Sequence, residues 1–146
     1  MSEKPYEKGL PVEQMVEKAM EALKNSYAPY SGFKVGACLL TLDGEFYTGC
    51  NIENAAYTPT NCAERTAFFK AVSEGKRSFQ AICVVNEKKD GEHEFCSPCG
   101  VCRQVMMEFC DPATFVIVMA KDAKKYKCRL LEELMPLGFG PDNLAG

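Results

Sequence analysis

A chain of 146 residues is long enough for one domain with a continuous core and too short for two ordinary domains. Its hydrophobic fraction of 47% and charged fraction of 25% are ordinary for globular proteins, and no apolar run approaches the roughly 20 residues that a membrane span requires. A net charge of −3 argues against a general affinity for nucleic acid, which depends on clustered Lys and Arg. We therefore expect a single domain over residues 1–146 and neither a membrane nor a nucleic-acid partner.

The N-terminus and the cysteine content indicate the cellular compartment. The sequence "MSEKPYEKGL" lacks the apolar segment of a signal peptide, so we expect an intracellular, cytoplasmic protein. Nine cysteines is a high and odd number, and in a cytosolic chain thiols are more often buried apolar groups or metal ligands than disulfides. The basic run Lys121–Arg129 has alternating polar residues that favour a solvated hairpin over a polyanion site.

The first part of the chain predicts a helix followed by a β-hairpin. Apolar residues recur at helical spacing after Pro11, so residues 11–26 are predicted as an amphipathic helix that ends at "YAPYSGF". Residues 34–42 and 45–51 are apolar and aromatic runs separated by Asp43-Gly44, a dipeptide that favours a two-residue hairpin turn.

The rest of the chain alternates helices with buried strands. Helices are predicted at residues 62–73, 98–109 and 130–135, and strands at residues 79–86, 114–120 and, more weakly, 125–129. His93 lies in a polar loop and is expected to be exposed to solvent. The alternation predicts an α/β fold with helices on both faces of a mixed sheet. The C-terminal "PLGFGPDNLAG" is predicted as a disordered tail, in which the aromatic Phe139 is unexpected.

The stretch "SPCGVCRQVMMEF" places two cysteines at the start of a predicted helix. Ser97 suits the N-cap and Pro98 the first turn, so Cys99 and Cys102 should lie one turn apart on one face and reach one ion. The free N–H groups of the first turn and the helix dipole favour the thiolate, which is the form that binds metal. The pair also fits a redox site, although the flanking pattern of a thioredoxin-like arrangement is missing.

Cys62, in "TNCAERTA", lies at a second helix start, where Thr60 or Asn61 is available as a cap. Three thiolates on zinc leave one coordination position open, which is typical of a catalytic zinc. Cys96 forms a further C-x-x-C pair with Cys99 and would close the site as a fourth ligand, but it precedes the cap and should point elsewhere. The other cysteines are predicted to pack in the core: Cys38, Cys50, Cys83, Cys110 and Cys128.

Glu64 follows Cys62 by two residues and would lie beside the metal. A carboxylate in that place can take a proton from water and give one to a leaving group, and hydrolysis of an amino group needs both acts. Without the thiols, Glu64 would suit a solvated first turn, where the helix dipole favours it. Three thiolates leave the site negative, so a hydrogen-bond donor should offset that charge at the sulfurs. Arg65 is the best candidate, with Arg103 or Gln104 as alternatives.

The sequence C-A-E followed by P-C-x-x-C is the zinc-deaminase signature in its three-cysteine form. With "YSGFKVGA", "GCNIENAAY", "CAERTA", "SPCGVCRQV" and the terminal "FGP", the chain resembles the small homotetrameric cytidine deaminases of pyrimidine salvage over nearly its whole length. The resemblance implies a three-layer α/β/α fold with a mixed five-stranded sheet. It also implies one Zn²⁺ per subunit, held by Cys62, Cys99 and Cys102, with Glu64 as proton shuttle.

The reaction that the resemblance implies is hydrolytic deamination, with zinc-activated water, of cytidine and 2′-deoxycytidine to uridine and 2′-deoxyuridine. Phe33 matches the aromatic that packs on the base, and Asn51 and Glu53 match the residues that bind the ribose 3′-hydroxyl. Ala63 matches a position whose backbone contacts the base. The substrate expected from the resemblance is therefore a small nucleoside.

The same resemblance implies active sites completed by neighbouring subunits of a homotetramer. Ala55 and Tyr57 match residues that contact the ribose across an interface, and Phe139 matches an aromatic that another subunit supplies to the pyrimidine. The termini, about residues 1–10 and 140–146, are then flexible or intersubunit segments. The loop "AAYTPTNC" departs from the commoner versions, which contain cysteine and glycine.

Two alternatives stay open from the sequence. One is a structural zinc module without catalysis, closed by Cys96 or another thiol. The other is a zinc deaminase that acts on another cytosine-containing substrate, such as a polynucleotide or a nucleoside-like antibiotic. The acidic balance argues against a polynucleotide, and the pair Asn51 and Glu53 argues for a free ribose.

Overall fold

The chain forms the helices and strands that the sequence predicts, with single strands or strand pairs between successive helices. The computed structural model describes residues 5–145, so the predicted flexibility of residues 1–4 and 146 lies outside the described residues. The elements are a 3₁₀ turn at Pro5–Glu7, α1 at Val12–Leu23, β1 at Lys34–Thr41, β2 at Phe46–Cys50, α2 at Ala63–Ser73, β3 at Phe79–Glu87, α3 at Gly100–Phe109, β4 at Val116–Ala120, β5 at Tyr126–Leu130, α4 at Leu131–Leu134 and a 3₁₀ turn at Pro141–Asn143. None of the helices within residues 5–145 has the length and apolar character that a membrane span requires.

The strands form one mixed five-stranded sheet in the order β2-β1-β3-β4-β5. β1 is antiparallel to β2 and β3, β3 is parallel to β4, and β4 is antiparallel to β5. The parallel pair requires a crossover connection, which α3 supplies. The predicted mixed sheet is confirmed.

Helices cover both faces of the sheet, because alternate residues of each strand point to opposite sides. On one face, Met15 and Ala19 of α1 pack in a cluster with Cys38 and Cys83 of the sheet. On the other face, side chains from α2, α3 and α4 form a larger cluster that includes Phe68, Met106, Leu131, Leu39 and Ile117. The layers are therefore helix, sheet and helices, as predicted.

The β1–β2 hairpin has a three-residue loop, so the predicted two-residue turn is wrong. The backbone N–H of Thr41 donates to the Glu45 carbonyl at 2.8 Å, and the N–H of Gly44 donates to the Thr41 carbonyl at 3.1 Å. Gly44 has a φ of 91°, which a residue with a side chain rarely adopts. A turn that ends on a left-handed glycine is the usual form of a three-residue hairpin loop.

α1 ends at Leu23, so its predicted end at residue 26 is wrong. The backbone N–H groups of Lys24, Asn25 and Ser26 donate to carbonyls three residues back, at 3.0 to 3.3 Å, so the helix tightens after Leu23.

α2 approaches β2 closely at Gly49. A Cβ atom at this position would lie 2.5 Å from the carbonyl oxygen of Ala63 and 2.6 Å from the backbone nitrogen of Ala67. Such a distance to backbone atoms excludes any side chain without movement of the helix. Gly49 therefore sets the spacing between the hairpin and the start of α2, where Cys62 lies.

Replacing Gly49 with Ala is expected to lower the free energy of unfolding by about 1–3 kcal/mol, because α2 must move away from β2. Urea unfolding of the zinc-loaded protein measures the change. Gly100→Ala is the matched control, because its Cβ would meet no heavy atom within 4 Å. The control should stay within about 0.5 kcal/mol of the parent. Equal stability of Gly49→Ala and the parent would contradict the close approach.

Candidate metal centre

The strand registers bring the starts of α2 and α3 to one end of the sheet. Gly36 pairs with Cys50, and Lys34 pairs with Glu87, so the end of β2 and the end of β3 both lie beside the start of β1. α2 follows β2 and α3 follows β3. Both helix N-termini therefore lie at the same end of the sheet.

Cys62 is itself the N-cap of α2, so the prediction of Thr60 or Asn61 as cap is wrong. Its backbone is extended, and its side chain makes no capping hydrogen bond. The Asn61 side chain instead donates to the hydroxyl of Thr66 at 3.1 Å, and that hydroxyl donates to the Cys62 carbonyl at 3.1 Å. The Cys62 sulfur is thus left free of the helix backbone and available to an ion.

Cys99 is the N-cap of α3, which corrects the prediction of Ser97 as cap and Pro98 in the first turn. The Cys99 sulfur accepts a hydrogen bond from the backbone N–H of Cys102 at 3.5 Å. The helix begins at Gly100, after the buried Pro98. The sulfur takes the role that the hydroxyl of Ser97 was expected to fill.

The three predicted ligands form one cluster. The sulfurs of Cys62, Cys99 and Cys102 all lie within 4.8 Å of one another, and those of Cys62 and Cys99 are 3.7 Å apart. A tetrahedral zinc with Zn–S bonds of about 2.3 Å separates its sulfurs by roughly 3.8 Å. Cys102 is buried and Cys99 is exposed, so one side of the cluster faces outward. The donor set and its spacing fit zinc with an open position.

The cluster holds its charge unevenly when no metal is bound. The hydrogen bond from the Cys102 thiol lowers the pKa of Cys62 below its ordinary value, with further lowering by Arg65 and Cys99 against the opposing effect of burial. The same hydrogen bond, together with burial, raises the pKa of Cys102. Cys62 is therefore the thiolate of the pair and Cys102 the thiol. Zinc binding must displace the remaining protons, so it depends on pH.

Arg65 is the candidate cation that touches the cluster. Its Nη2 donates to the Cys62 sulfur at 3.3 Å. The guanidinium of Arg103 donates to other groups: the Pro98 carbonyl, the Leu134 carbonyl and the Ser97 hydroxyl. The Gln104 amide donates to the Phe139 carbonyl at 2.8 Å. The structure thus distinguishes three residues that the sequence could not separate.

Glu64 is buried beside the cluster, with 4% of its surface exposed. The alternative of a solvated residue is therefore wrong. Burial raises the pKa of its carboxyl to about 7, and Cys62 adds to the rise, whereas its own backbone N–H and Arg65 act in the opposite direction. A carboxyl in this state can hold or release a proton near neutral pH.

Cys96 lies outside the ligand cluster. The grouping of sulfurs within 4.8 Å contains Cys62, Cys99 and Cys102 but not Cys96. Its thiol donates to the Ser97 carbonyl at 3.8 Å, and burial raises its pKa to about 11. None of the nine cysteines, all within residues 5–145, forms a disulfide. Of the cysteines predicted to be buried, Cys38, Cys83, Cys110 and Cys128 are buried and Cys50 is half-buried.

The hairpin end lies directly beside the start of α2. Ile52 and Asn61 exchange two backbone hydrogen bonds of 2.9 Å each. Asn51 and Glu53 flank Ile52, and Cys62 follows Asn61, so the two segments run side by side. The predicted ribose residues are therefore brought to the metal cluster.

The Asn51 side chain is buried and fixes the segment before β1. Its amide oxygen accepts from the backbone N–H of Val35 at 2.9 Å and from the Ser26 hydroxyl. Its amide nitrogen donates to the carbonyl of Phe33 at 2.8 Å, which places the half-buried Phe33 beside the hairpin end. One N–H of the amide remains for a further acceptor.

The Glu53 carboxylate binds the loop before Phe33. It accepts from the backbone N–H groups of Tyr30 and Ser31 at 2.9 and 3.1 Å, and from the Ser31 hydroxyl. The bond from the Ser31 side chain is the main cause that lowers the pKa of Glu53. Glu53 is therefore ionised at neutral pH.

The remaining predicted site residues divide into a buried one and three exposed ones. Ala63 is fully buried as the first residue of α2. Ala55 and Tyr57 lie exposed in the loop before α2, and Tyr57 has a φ of 62° with 75% of its surface exposed. Phe139 is 56% exposed, in a segment whose neighbour Gly140 is buried against Met107 of α3.

Sequence reasoning missed the buried Asn86, at the end of β3. Its amide pairs with the backbone of Glu94, donating at 2.6 Å and accepting at 3.1 Å. The Asn86 carbonyl is hydrogen-bonded to Nδ1 of His93, which is half-buried and not exposed as predicted. A polar residue closing a dense apolar run was the available signal. Asn86 anchors the loop that leads to Cys99.

Comparison with known proteins relates this site to a family. Residues 11–119 match the family model described as the cytidine and deoxycytidylate deaminase zinc-binding region. A cytidine deaminase of Sporosarcina psychrophila is 55% identical over 134 residues, which cover 92% of this chain and 95% of the relative. A cytidine deaminase of Halalkalibacterium halodurans is 43% identical over 132 residues, which cover 90% of this chain and 96% of the relative.

A solved structure shows the same architecture. The crystal structure of cytidine deaminase from Burkholderia pseudomallei matches with a TM-score of 0.78 at 44% identity, covering 86% of this chain and 97% of that chain. The predicted fold class is confirmed. The matched family region and the three-sulfur cluster also confirm zinc as the metal.

Replacing Cys62, Cys99 or Cys102 singly with Ser is expected to abolish tight zinc binding, because each removes one of three thiolate ligands. Elemental analysis after dialysis against a weak chelator measures the zinc content. Cys96→Ser is the matched control and should retain one zinc per chain. Comparable zinc loss from Cys96→Ser would show that a fourth thiol closes the site.

Proposed function

The chain belongs to the cytidine and deoxycytidylate deaminase family, and we propose that it catalyses hydrolytic deamination of cytidine and 2′-deoxycytidine. The products are uridine or 2′-deoxyuridine and ammonia. The observation that carries the proposal is the buried carboxyl of Glu64 beside three sulfurs with an open side. A closed structural site would need neither the opening nor the carboxyl.

Cys62, Cys99 and Cys102 would hold the zinc in this reaction. Bound there, zinc would supply a Lewis acid that lowers the pKa of water. Arg65 offsets the negative charge that three thiolates leave on the site, since it donates to the Cys62 sulfur. The two helix N-termini act in the same direction through their dipoles.

Glu64 moves the protons of the reaction. It accepts one proton from the water that adds to C4 of the cytosine ring and delivers it to the ring nitrogen N3. It then takes the proton of the new hydroxyl and gives it to the amino group, which leaves as ammonia. The C4 carbonyl forms as the C–N bond breaks, so water and cytidine give ammonia and uridine. Its burial beside the sulfurs supports this assignment, because a carboxyl held in place there can both accept and donate a proton.

The nucleoside is held by the hairpin end and the start of α2. Phe33 packs on the base, and the backbone of Ala63 contacts it. Asn51 and Glu53 bind the ribose 3′-hydroxyl: Asn51 through its remaining N–H, and Glu53 through its remaining acceptor site. This allocation is supported by the partners already counted, since a carboxylate offers about four acceptor sites and Glu53 uses three.

The active unit is a homotetramer in which neighbouring subunits complete each site. The exposed aromatic rings of Tyr57 and Phe139 support this part of the proposal, because aromatic residues are enriched in protein–protein interfaces. An open cleft of about 410 Å³ includes Glu53 and Tyr57 in its lining. Ala55 lies between them in sequence and contacts the ribose from the neighbouring chain. A cytoplasmic location stays a prediction from the sequence.

Replacing Glu64 with Gln is expected to lower kcat for cytidine by about a hundred- to ten-thousand-fold, because the amide cannot shuttle protons. Zinc content should stay at the parent level, since no ligand is removed. Ammonia release and uridine formation measure turnover. Glu74→Gln, at the exposed C-cap of the same helix, is the matched control and should keep parent activity.

The same assay distinguishes the alternatives. The parent is compared on cytidine, 2′-deoxycytidine, a cytosine-containing oligonucleotide and a nucleoside-like antibiotic. A zinc-loaded parent inactive on every substrate would favour the structural zinc module, and a preference for the oligonucleotide or the antibiotic would contradict the substrate assignment. Substantial turnover by Glu64→Gln would contradict the proton-shuttle role.

Co-expression of a Phe139→Ala chain with a Glu64→Gln chain is expected to restore deaminase activity, although each variant expressed alone has low activity. When Phe139 comes from a neighbouring chain, random assembly gives about a quarter of the sites both intact residues. Specific activity of the purified mixture, with light scattering for its size, tests this.

The control co-expresses Phe139→Ala with a chain that carries both Phe139→Ala and Glu64→Gln. No chain in this mixture can supply an intact Phe139. If Phe139 acts within its own chain, no subunit of either mixture carries both residues, and neither mixture recovers. A monomeric active parent would likewise contradict the shared site.

A further inference from the structure

Arg103 ties three separate segments together with one side chain. Its Nε donates to the Pro98 carbonyl at 2.7 Å, its Nη2 to the Ser97 hydroxyl at 2.9 Å, and its Nη1 to the Leu134 carbonyl at 2.6 Å. Its backbone N–H donates to the Cys99 carbonyl at 3.0 Å. Backbone and side chain of one residue thus hold the whole segment Ser97–Cys99.

Cys99 is the ligand whose position depends most on this segment. It is the exposed member of the cluster, whereas Cys102 is buried inside α3. As N-cap, Cys99 has an extended backbone and belongs half to the loop and half to the helix. Its sulfur can stay close enough to the sulfurs of Cys62 and Cys102 to share one ion only if the loop is fixed relative to the helix.

The far end of the loop is also anchored. Asn86 pairs with the backbone of Glu94, and the ring of Phe95 lies under the ammonium groups of Lys121 and Lys127 at 4.7 and 4.4 Å. Between Phe95 and Cys99, the side-chain bonds from Arg103 are the ones that connect the loop to α3. Loss of these bonds would free the last residues before the metal ligand.

We propose that Arg103 is a positioning residue that holds Cys99 in the geometry required for zinc. The guanidinium acts through its rigid fork, because its three partners are two carbonyl oxygens and one hydroxyl, none of them charged. This role differs from that of Arg65, which contacts a ligand sulfur directly. The inference rests on the zinc site of the proposed function, but its test needs no turnover.

Arg103 also links the metal site to the C-terminal segment. The Leu134 carbonyl belongs to the last turn of α4, where carbonyls lack helical partners, and Arg103 satisfies it. The next residue, Gln104, holds the Phe139 carbonyl at 2.8 Å. The two neighbouring side chains therefore have different partners. Arg103 contacts both the loop before Cys99 and α4, whereas Gln104 donates to the C-terminal segment.

The test compares Arg103→Lys and Arg103→Gln with the parent. Zinc affinity is measured by competition with a chromophoric chelator, and site geometry by the thiolate-to-metal absorption bands of the Co²⁺-substituted protein. Both variants should bind zinc about 10–100-fold more weakly, as expected when a group that orients a ligand is removed. The absorption bands should change in both, because one sulfur becomes mobile. Lys keeps the charge but cannot make three directed bonds.

Two matched controls separate this role from general effects. Arg77 donates through one guanidinium nitrogen to the carbonyls of Val72 and Lys76 at the far end of α2, so Arg77→Lys should leave zinc affinity and the bands unchanged. Gln104→Leu removes the bond to Phe139 but not the bonds to Ser97 and Pro98. It should increase protease cleavage after residue 135 without weakening zinc binding.

Several outcomes would overturn the proposal. Parent-like affinity in Arg103→Lys, with a loss only in Arg103→Gln, would show that the charge matters and not the fork. Equal loss in Gln104→Leu would show that the effect passes through the C-terminal segment. If the Arg103 variants do not fold, Ser97→Ala removes a single bond to the fork. Unchanged zinc affinity and unchanged bands in Ser97→Ala would then count against the proposal.

Discussion

Two helix N-termini meet at one point of the molecule, and a cysteine is the N-cap of each. In most helices an oxygen fills this role; here the Cys99 sulfur accepts the free N–H of Cys102, and the Cys62 sulfur is left to Arg65 and the ion. A helix N-terminus favours negative charge, so the caps that begin the helices are also suited to be thiolates. Metal site and helix starts are therefore one feature.

The sheet makes this meeting possible. Because β1 runs antiparallel to β2 and β3, the chain leaves β2 and β3 at the same end of the sheet, and α2 and α3 start there. The short contact at Gly49 then holds α2 against the hairpin, while Ile52 and Asn61 join the segments that carry Asn51 and Cys62. The residues proposed to hold the ribose lie beside the three-cysteine cluster because of strand register.

The sequence predicted what depends on local pattern and missed what depends on tertiary contacts. Helical periodicity and dense apolar runs predicted the α-helices and strands of residues 5–145, and the spacing of Cys99 and Cys102 predicted two ligands, because these signals lie in neighbouring residues. The cap of α3 was assigned to Ser97, because a sulfur acting as acceptor is not visible in a residue preference. Asn86 and Arg103 were missed as anchors because their partners lie on other segments.

The ionisation of Glu64 depends both on its burial and on the cysteine cluster beside it. A carboxyl with 4% of its surface exposed is costly to ionise, and the neighbouring Cys62 thiolate increases that cost. A dication held by the adjacent sulfurs would favour the ionised carboxylate, whereas its departure restores the preference for the proton. The basicity of Glu64 is therefore tied to occupancy of the cluster, so the segments that fix Cys62 and Cys99 also govern the proton chemistry.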